Sequence, residues 1–435
     1  MEILVTRFIL IALYLFLIGC SFSNSDFWTE DKTINDLRKN SSKIFKKTEI
    51  IKNELNPNLK IKLEKNKSNI YKLDDLTNNE GIYLIKDNIN KLSKFNFSKI
   101  ENFDYFETEI NFDGKNFIFF DNKGNLFKFN DEFKILWKKN FYSKEEKKTK
   151  PVLSLANSGN KLVVFDNISK FYLVNLDSGD LIWSKTNNNP VNSQIKIYKN
   201  KIYSIDLNNI IRCFSVKDGS ELWNYKSENT FLKSIKRNSL LINDDIIYFN
   251  NSIGDITALN ANDGSLIWQT PTQGSEIYEN AFSLIISDLV LKNDNLIFSN
   301  NKNEFYSISS KNGIINWKQE INSKVRPVYY NDFIFTISNE GYFFVIDNKL
   351  GNIIRITDVF DVYKEKKRKK IEPEGFVLTT DKIYLSTSNG RLMIIDIQTG
   401  KTISILKIDN EKISRPFVFN KKLLLIKNNS IVRLD

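Results

Sequence analysis

A short pattern of turn residues recurs eight times along this chain. The first turn of each unit is marked, at intervals of 38 to 49 residues, by Gly124, Ser169, Asn209, Gly254, Asn303, Gly341, Gly390 and Asn429. Glycine and asparagine tolerate the positive φ that tight hairpin turns require. A period near forty that contains four short strands is typical of propeller blades, so the sequence predicts eight blades.

Two further positions recur at a constant spacing from the first turn. A second turn carries a glycine in six units: Gly179, Gly219, Gly264, Gly313, Gly351 and Gly400. Four residues later the chain has Trp183, Trp223, Trp268 and Trp317, and Trp137 holds the equivalent place in the first unit. Five of the six tryptophans therefore occupy one structural position of the repeat, which Arg355 and Ser404 take in the sixth and seventh units.

The eighth unit shows only three strand patterns before Asp435. Residues 91–97 resemble the outer strand at residues 135–141, so we expect them to supply the missing strand and to remove an open sheet edge. The predicted fold is all-β, an eight-bladed propeller of four-stranded antiparallel blades over residues 81–435, closed by this N-terminal strand.

The N-terminus predicts export and lipid attachment. Residues 8–18 form an apolar run that is too short to span a membrane and ends in Leu17-Ile18-Gly19-Cys20. This tetrapeptide resembles the bacterial lipoprotein signal, which implies that residues 1–19 are removed and that Cys20 carries the lipid (palmitate among its acyl chains). An ordinary signal peptide with an incidental cysteine is the alternative. Residues 20–80 are polar and predict a lipid-anchored tether that is partly disordered or helical.

The composition argues against catalysis. The chain has no histidine, which excludes histidine-dependent triads and histidine metal sites. Cys213 is the only thiol besides Cys20, and most carboxylates stand in turns without a credible metal-ligand spacing. We therefore predict no enzyme activity, no catalytic residue, no metal and no cofactor. The net charge is +11, but the predicted export separates the chain from nucleic acid, so no nucleic-acid partner is predicted.

The Asn-x-x-x-Gly-x-x-x-Trp pattern resembles the pyrroloquinoline-quinone-type (PQQ-like) propeller repeat. That repeat occurs in quinoprotein alcohol dehydrogenases and in the BamB-like lipoproteins of the outer-membrane β-barrel assembly machinery. The lipoprotein signal, the mature length and the eight repeats resemble the second group more. In that group the tryptophan packs between neighbouring blades.

The resemblance to the assembly lipoproteins implies a function and a location. It implies a scaffold that binds the central β-barrel subunit and other members of the assembly complex and that aids insertion of nascent outer-membrane proteins. The expected location is the periplasmic side of the outer membrane, because Ser21 stands where an aspartate would retain a lipoprotein at the inner membrane. We expect a monomeric propeller within that complex.

Partner-binding residues follow from the same resemblance. The family has a basic, leucine-containing stretch that enters the fourth blade, and the local match here is Lys233, Ile235, Lys236 and Arg237. Ile235 would be the apolar anchor, although the family leucine two residues earlier is replaced by Lys233. Glu276 and Glu279 lie where the family has aspartates in the next connection, without a clean alignment. Ordinary loop surface is the alternative for all six residues.

Two other functions stay open at this point. One is a different envelope adaptor with the same repeat, which would bind another protein. The other is a quinone-dependent dehydrogenase, which the sequence disfavours because the chain lacks the adjacent cysteines found beside the cofactor in many of those enzymes.

Overall fold

Eight antiparallel β-sheets of four strands each form a propeller ring. This computed structural model describes residues 61, 63, 76–79, 81–85, 89, 92–101, 103, 107–228, 234, 236–272 and 284–435. The predicted signal peptide (residues 1–19), Cys20 and most of the predicted tether (residues 20–80) lie outside the described residues. The predicted eight-bladed, all-β architecture is confirmed.

The first four blades follow one another along the chain, and each runs from an inner strand to an outer strand. Their strands are β2 (Asn111–Phe112), β3 (Phe117–Phe120), β4 (Asn125–Phe129) and β5 (Ile135–Asn140); β6 (Leu153–Ser158), β7 (Lys161–Asp166), β8 (Lys170–Asn175) and β9 (Leu181–Thr186); β10 (Lys196–Tyr198), β11 (Lys201–Ile205), β12 (Ile210–Ser215) and β13 (Glu221–Lys226); and β14 (Leu240–Asn243), β15 (Ile246–Asn250), β16 (Ile256–Asn260) and β17 (Leu266–Thr270).

The last four blades keep the same order, except that the eighth draws its outer strand from the start of the propeller. Their strands are β18 (Val290–Lys292), β19 (Asn295–Asn300), β20 (Glu304–Ser309) and β21 (Ile315–Gln319); β22 (Val328–Tyr330), β23 (Phe333–Ile337), β24 (Tyr342–Asp347) and β25 (Ile353–Asp358); β26 (Pro373–Leu378), β27 (Lys382–Thr387), β28 (Arg391–Asp396) and β29 (Thr402–Lys407); and β30 (Phe417–Phe419), β31 (Lys422–Lys427), β32 (Ser430–Leu434) and β1 (Leu92–Asn96).

Within the described residues, two short helices lie in connections between blades. These are α1 (Lys144–Lys148), between blades 1 and 2, and α2 (Glu365–Arg368), between blades 6 and 7. Ser143 caps α1 by accepting a hydrogen bond from the Glu146 backbone N–H, while the Glu146 carboxylate accepts from the Ser143 backbone N–H. No helix in the described part of the chain has the length and apolar character needed to cross a bilayer.

Strand β1 closes the ring. It pairs antiparallel with β32, with Leu92 opposite Leu434 and Asn96 opposite Ser430. Without β1, the backbone N–H and C=O groups along one edge of β32 would have no strand partner. The predicted closing strand is confirmed, with each end one residue inside the predicted range of 91–97.

The two ends of the ring differ because successive hairpins of an antiparallel blade point in opposite directions. In blade 4 the turns at residues 244–245 and 261–265 lie at one end, which we call the hairpin face. The turn at residues 251–255 and the chain that enters β14, residues 236–239, lie at the other end, which we call the connector face. The remaining blades repeat this arrangement.

Each repeat tryptophan lies at the boundary with the next blade. Four of the five donate an indole N–H to a backbone carbonyl of that blade: Trp137 to Leu176 (3.1 Å), Trp183 to Val216 (3.0 Å), Trp268 to Ser310 (2.9 Å) and Trp317 to Asn348 (3.0 Å). In the sixth blade Arg355 takes this place and donates to the Gln398 carbonyl of blade 7. The recurring side chain thus joins consecutive blades.

The outer strands of blades 1 to 7 share a bulge that the sequence pattern did not reveal. The pairing skips the residue directly before the tryptophan position in each of them: Leu136, Ile182, Leu222, Ile267, Asn316, Ile354 and Ile403. A bulge places one extra residue outside the ladder. Aliphatic side chains at five of these positions are 44 to 55% exposed, so the rim of the ring carries a row of apolar groups.

Candidate functional site: the charged connector end of the channel

Charged side chains gather around the channel axis at the connector face. Glu109, Arg326 and Arg415 each stand two residues before the inner strand of their blade, and Asp288 holds the same place before β18. Because the inner strands surround one axis, the same offset in different blades brings these side chains together. The sequence analysis did not single out any of the four. An alignment of the repeats on their inner strands would have shown charged residues at one position.

Glu109 is the centre of this cluster. Its Oε1 lies 2.6 Å from Arg237 Nη2, 3.1 Å from Arg415 Nη2 and 3.3 Å from Arg326 Nη2. Burial raises the pKa of Glu109, but the charges of Arg237, Arg415 and Arg326 outweigh burial and hold that pKa well below its ordinary value. Glu109 is therefore ionised at any pH near neutrality and joins three blades to the chain that enters blade 1.

Asp288 forms a second centre beside Glu109. Arg326 donates from Nη2 (2.5 Å) and Nε (2.8 Å) to Asp288 Oδ2, and Lys236 Nζ lies 3.5 Å from Oδ1. Burial raises the pKa of Asp288, but the charges of Arg326, Lys236 and Arg237 lower it well below its ordinary value. Arg326 bridges the two carboxylates, so the cluster is one continuous network.

Two of the sequence-predicted partner residues belong to this network. Lys236 and Arg237 have side chains only 15% and 12% exposed, and both approach Glu107, at 3.9 and 3.6 Å. Lys236 also donates to the Lys324 carbonyl at 3.2 Å. The other four predicted residues, Lys233, Ile235, Glu276 and Glu279, lie outside the described residues, so a role of the set in partner binding remains a prediction.

A small cavity of about 160 Å³ lies on the outer side of the network, toward the connector face. Its lining combines apolar and charged side chains, with five cations against two carboxylates: Phe103, Val325, Val328, Phe376, Lys236, Lys324, Arg326, Lys412, Arg415, Glu107 and Glu374. Burial lowers the pKa of Lys324, but Glu374 and Glu372 raise it above its ordinary value. All five cations already pair with carboxylates of the network or of its surroundings. The cavity therefore offers a mixed apolar and polar lining without a free charge of one sign.

A second cavity, of about 1070 Å³, lies within the channel on the inner side of the network. Inner strands line it together with residues of the segment 77–84. Within the described residues, no three acidic or cysteine side chains are placed to share a metal ion. Cys213, the one thiol in the described part of the chain, is buried between β11 and β13.

Fold and repeat together define the class of this protein: it is an eight-bladed propeller built from PQQ-like repeats. A family model described as "Outer membrane protein assembly factor BamB" matches residues 123–357, which is more than half of the chain. The chain therefore belongs to the BamB family, as the repeat pattern indicated. A search of curated proteins finds no match.

Solved structures with the same architecture come from assembly factors and from enzymes. BamB from Moraxella catarrhalis has a TM-score of 0.64 at 14% identity, covering 79% of this chain and all of the other. Quinohemoprotein alcohol dehydrogenase from Comamonas testosteroni scores 0.62 at 8% identity (82% and 78% covered). A europium-containing methanol dehydrogenase scores 0.60 at 11% identity (79% and 86% covered). At these identities the likeness concerns the fold alone.

Proposed function

We propose that this chain is a non-catalytic scaffold lipoprotein of the outer-membrane β-barrel assembly machinery. It is held on the periplasmic side of the outer membrane by acyl chains on Cys20. It binds the central barrel subunit with its connector face and aids insertion of nascent outer-membrane proteins. The match of residues 123–357 to the BamB family is the observation that carries this proposal.

The charge distribution at the connector face supports a protein partner. The sequence-predicted partner stretch enters blade 4 at this face, where Lys236 and Arg237 are held by the Glu109 and Asp288 network. Side chains fixed in this way lose little conformational entropy when a partner binds. The neighbouring cavity, with apolar and paired charged side chains in its lining, offers a place for one side chain of that partner.

The outer strands offer a second kind of contact, for nascent outer-membrane chains. Each outer strand has an edge that pairs with no further strand in its sheet. Exposed aliphatic residues such as Ile182 and Ile267, each about half exposed, stand along these edges. An extended chain with alternating apolar residues can add to such an edge through backbone hydrogen bonds and side-chain contacts.

Co-purification from detergent-solubilised membranes tests the partner assignment. The full-length chain should capture the central barrel subunit, and Lys233→Glu should weaken the capture because it reverses charge in the predicted contact. Lys349→Glu is the matched control, since Lys349 is exposed in a turn at the hairpin face. If the barrel subunit is absent from the wild-type eluate, the assembly role is wrong. Capture of another envelope protein in its place would support a different adaptor.

Lipid attachment is tested separately by labelling cells with a palmitate analogue. The wild-type chain should carry the label and fractionate with the outer membrane, whereas Cys20→Ser should be unlabelled and released. A labelled Cys20→Ser variant would contradict the anchor without affecting the partner assignment.

A quinone-dependent dehydrogenase is the second candidate, favoured by the shared fold of the two dehydrogenases. The described residues bring together no metal-ligating cluster, so we derive no reaction step through a quinone or a calcium ion. Titration of the purified chain with pyrroloquinoline quinone and Ca²⁺ distinguishes the candidates. Our proposal expects no protein-bound quinone absorbance and no alcohol-dependent reduction of a dye.

A further inference from the structure

A short segment upstream of the propeller pairs with inner strands inside the channel. The Leu76 carbonyl accepts a hydrogen bond from the Ile242 N–H of blade 4 (2.9 Å), and the Thr77 carbonyl accepts from the Leu291 N–H of blade 5 (3.0 Å). An inner strand has a free edge toward the channel, and these two N–H groups belong to such edges. The segment thus adds backbone pairing to two neighbouring blades.

The same segment continues across the channel to blade 7. Ile82 forms a parallel bridge with Leu378, at the end of β26, and the Tyr83 N–H donates to the Leu378 carbonyl (2.9 Å). Around the ring, blade 7 lies two blades from blade 5 and three from blade 4. Residues 76–77 and 82–83 therefore contact blades that are not neighbours.

Asn78 fixes the segment in place. Its side chain is buried (4% exposed), and the two hydrogens of its Nδ2 are shared among three acceptors: Gln194 Oε1 (3.0 Å), the Leu289 carbonyl (3.0 Å) and Ser239 Oγ (3.2 Å). Lys196 Nζ donates to the Asn78 Oδ1 at 2.8 Å. Because a lysine ammonium can only donate, this contact fixes which amide atom faces which partner.

Backbone N–H groups of the blades hold these acceptors in position through further hydrogen bonds. Gln194 Oε1 also accepts from the Leu240 backbone N–H (3.1 Å), and Ser239 Oγ accepts from the Leu289 backbone N–H (2.9 Å). Asn78 has a φ of +58°, a backbone conformation that asparagine adopts more readily than most residues. Residues of three blades thus form a polar receptor for the side chain of Asn78. Asparagine fits this place because its carboxamide both donates and accepts and its backbone adopts a positive φ.

We propose that the channel wall formed by blades 3, 4 and 5 is a binding site for an extended peptide, and that the chain fills this site itself with residues 76–79. The ligand class is an extended segment whose asparagine carboxamide enters the Gln194, Ser239 and Lys196 receptor while the two preceding carbonyls pair with inner-strand edges. Occupation in cis fixes residues 76–79 inside the channel. The inference needs no assumption about the assembly function.

Hydrogen exchange in the full-length chain tests the cis contact. Asn78→Asp keeps the side-chain shape but replaces the donating amide with acceptor oxygens that face Gln194 Oε1 and the Leu289 carbonyl. We expect the N–H groups of Ile242 and Leu291 to exchange about tenfold faster or more, as the loss of two or more hydrogen bonds implies. The amide groups of β15 inside the sheet are the internal reference.

Two further variants keep this test decisive. Asn78→Gly, which accepts the positive φ but has no side chain, should also accelerate exchange at both positions. Asn79→Ala is the control at the neighbouring position, because the Asn79 Oδ1 accepts no hydrogen bond among the described residues, and it should leave exchange unchanged. Unchanged exchange in both Asn78 variants would overturn the proposal, as would equal acceleration in Asn79→Ala.

A peptide added in trans tests the receptor itself. A synthetic peptide with the sequence of residues 74–85 should bind the Asn78→Asp chain at least tenfold more tightly than the wild-type chain, whose site is filled. The same peptide with aspartate in place of Asn78 should not bind. Equal binding to both chains, or binding to neither, would show that this wall of the channel is not a peptide receptor.

Discussion

Trp268 of blade 4 covers Gly313 of blade 5. The indole N–H donates to the Ser310 carbonyl at 2.9 Å, and a Cβ added to Gly313 would lie 2.6 Å from Trp268 Cε3. Gly313 also has a φ of +73°. Trp268 therefore makes a hydrogen bond to the turn of the next blade and leaves no room for a side chain at the glycine of that turn. This explains why the tryptophan and the glycine recur together.

The first prediction concerns this contact. Gly313→Ala should lower the free energy of unfolding by about 2 to 4 kcal/mol, since it combines a left-handed backbone with overpacking against the indole. Gly159→Ala is the control, because Gly159 has a φ of +56° but nothing within 4 Å of an added Cβ. Gly159→Ala should lower the free energy of unfolding only by the cost of the left-handed backbone, about 1 to 2 kcal/mol. Urea unfolding measures both, and equal costs would contradict the steric account.

The second prediction separates the tryptophan hydrogen bond from its size. Trp223 differs from the other repeat tryptophans because its Nε1 has no hydrogen-bond partner among the described residues, while the Tyr203 hydroxyl donates to the Ala261 carbonyl of the next blade (3.0 Å). Trp268→Phe leaves the Ser310 carbonyl without its indole donor, so it should destabilise the fold by about 1 kcal/mol more than Trp223→Phe.

Tyr203→Phe completes this comparison. It should cost about 1 kcal/mol, because it removes the donor to Ala261 and keeps the ring. The denaturant midpoints of the three variants, compared at equal m-values, give the three changes in the free energy of unfolding. A Trp223→Phe variant as destabilised as Trp268→Phe would show that packing alone decides the cost.

The third prediction concerns the acid stability of the charged cluster. The pKa of Glu109 is lowered in the folded state, so its stabilisation is complete above the ordinary pKa near 4.5 and is lost as the pH falls toward the lowered value. Glu109→Gln should lower the free energy of unfolding at pH 7 by up to about 3 kcal/mol. This is the lower end of the range for removing one partner of a buried ion pair, because the Glu109 side chain is 28% exposed.

The pH profile of Glu109→Gln distinguishes charge from packing. Below pH 4.5 its stability should fall less steeply than that of the wild type, since one titrating group is gone. Glu145→Gln, an exposed substitution in α1, should leave both the stability at pH 7 and the profile unchanged. Parallel profiles for Glu109→Gln and the wild type would mean that Glu109 carries no such linkage.

The fourth prediction concerns Cys213. Burial raises the pKa of its thiol to about 12, and the side chain has no exposed surface. In a Cys20→Ser background, native protein at pH 8 should react with iodoacetamide roughly a thousandfold more slowly than protein unfolded in urea. Rapid labelling of the native chain would contradict the burial of blade 3 around this residue.

Much of the fold could be predicted because propeller blades repeat a local pattern. The eight first-turn residues and the second-turn glycines set hairpins that each span only a few residues, and residues 91–97 resembled the outer strands closely enough to predict ring closure. The pairing of charges in the network could not be predicted, although Lys236 and Arg237 were singled out for another reason. Glu109 and Arg415 are far apart in sequence and meet only because inner strands of different blades surround one axis.

The sequence by itself determined the number of blades, the closing strand and the place of the tryptophans, because each depends on local turn geometry and periodicity. Only the tertiary structure decided which charges neutralise one another and where residues 76–79 and 81–83 lie. Both depend on distances between blades that have no counterpart in sequence spacing. The partners of Asn78, from Gln194 to Leu289, come together only when the ring has closed.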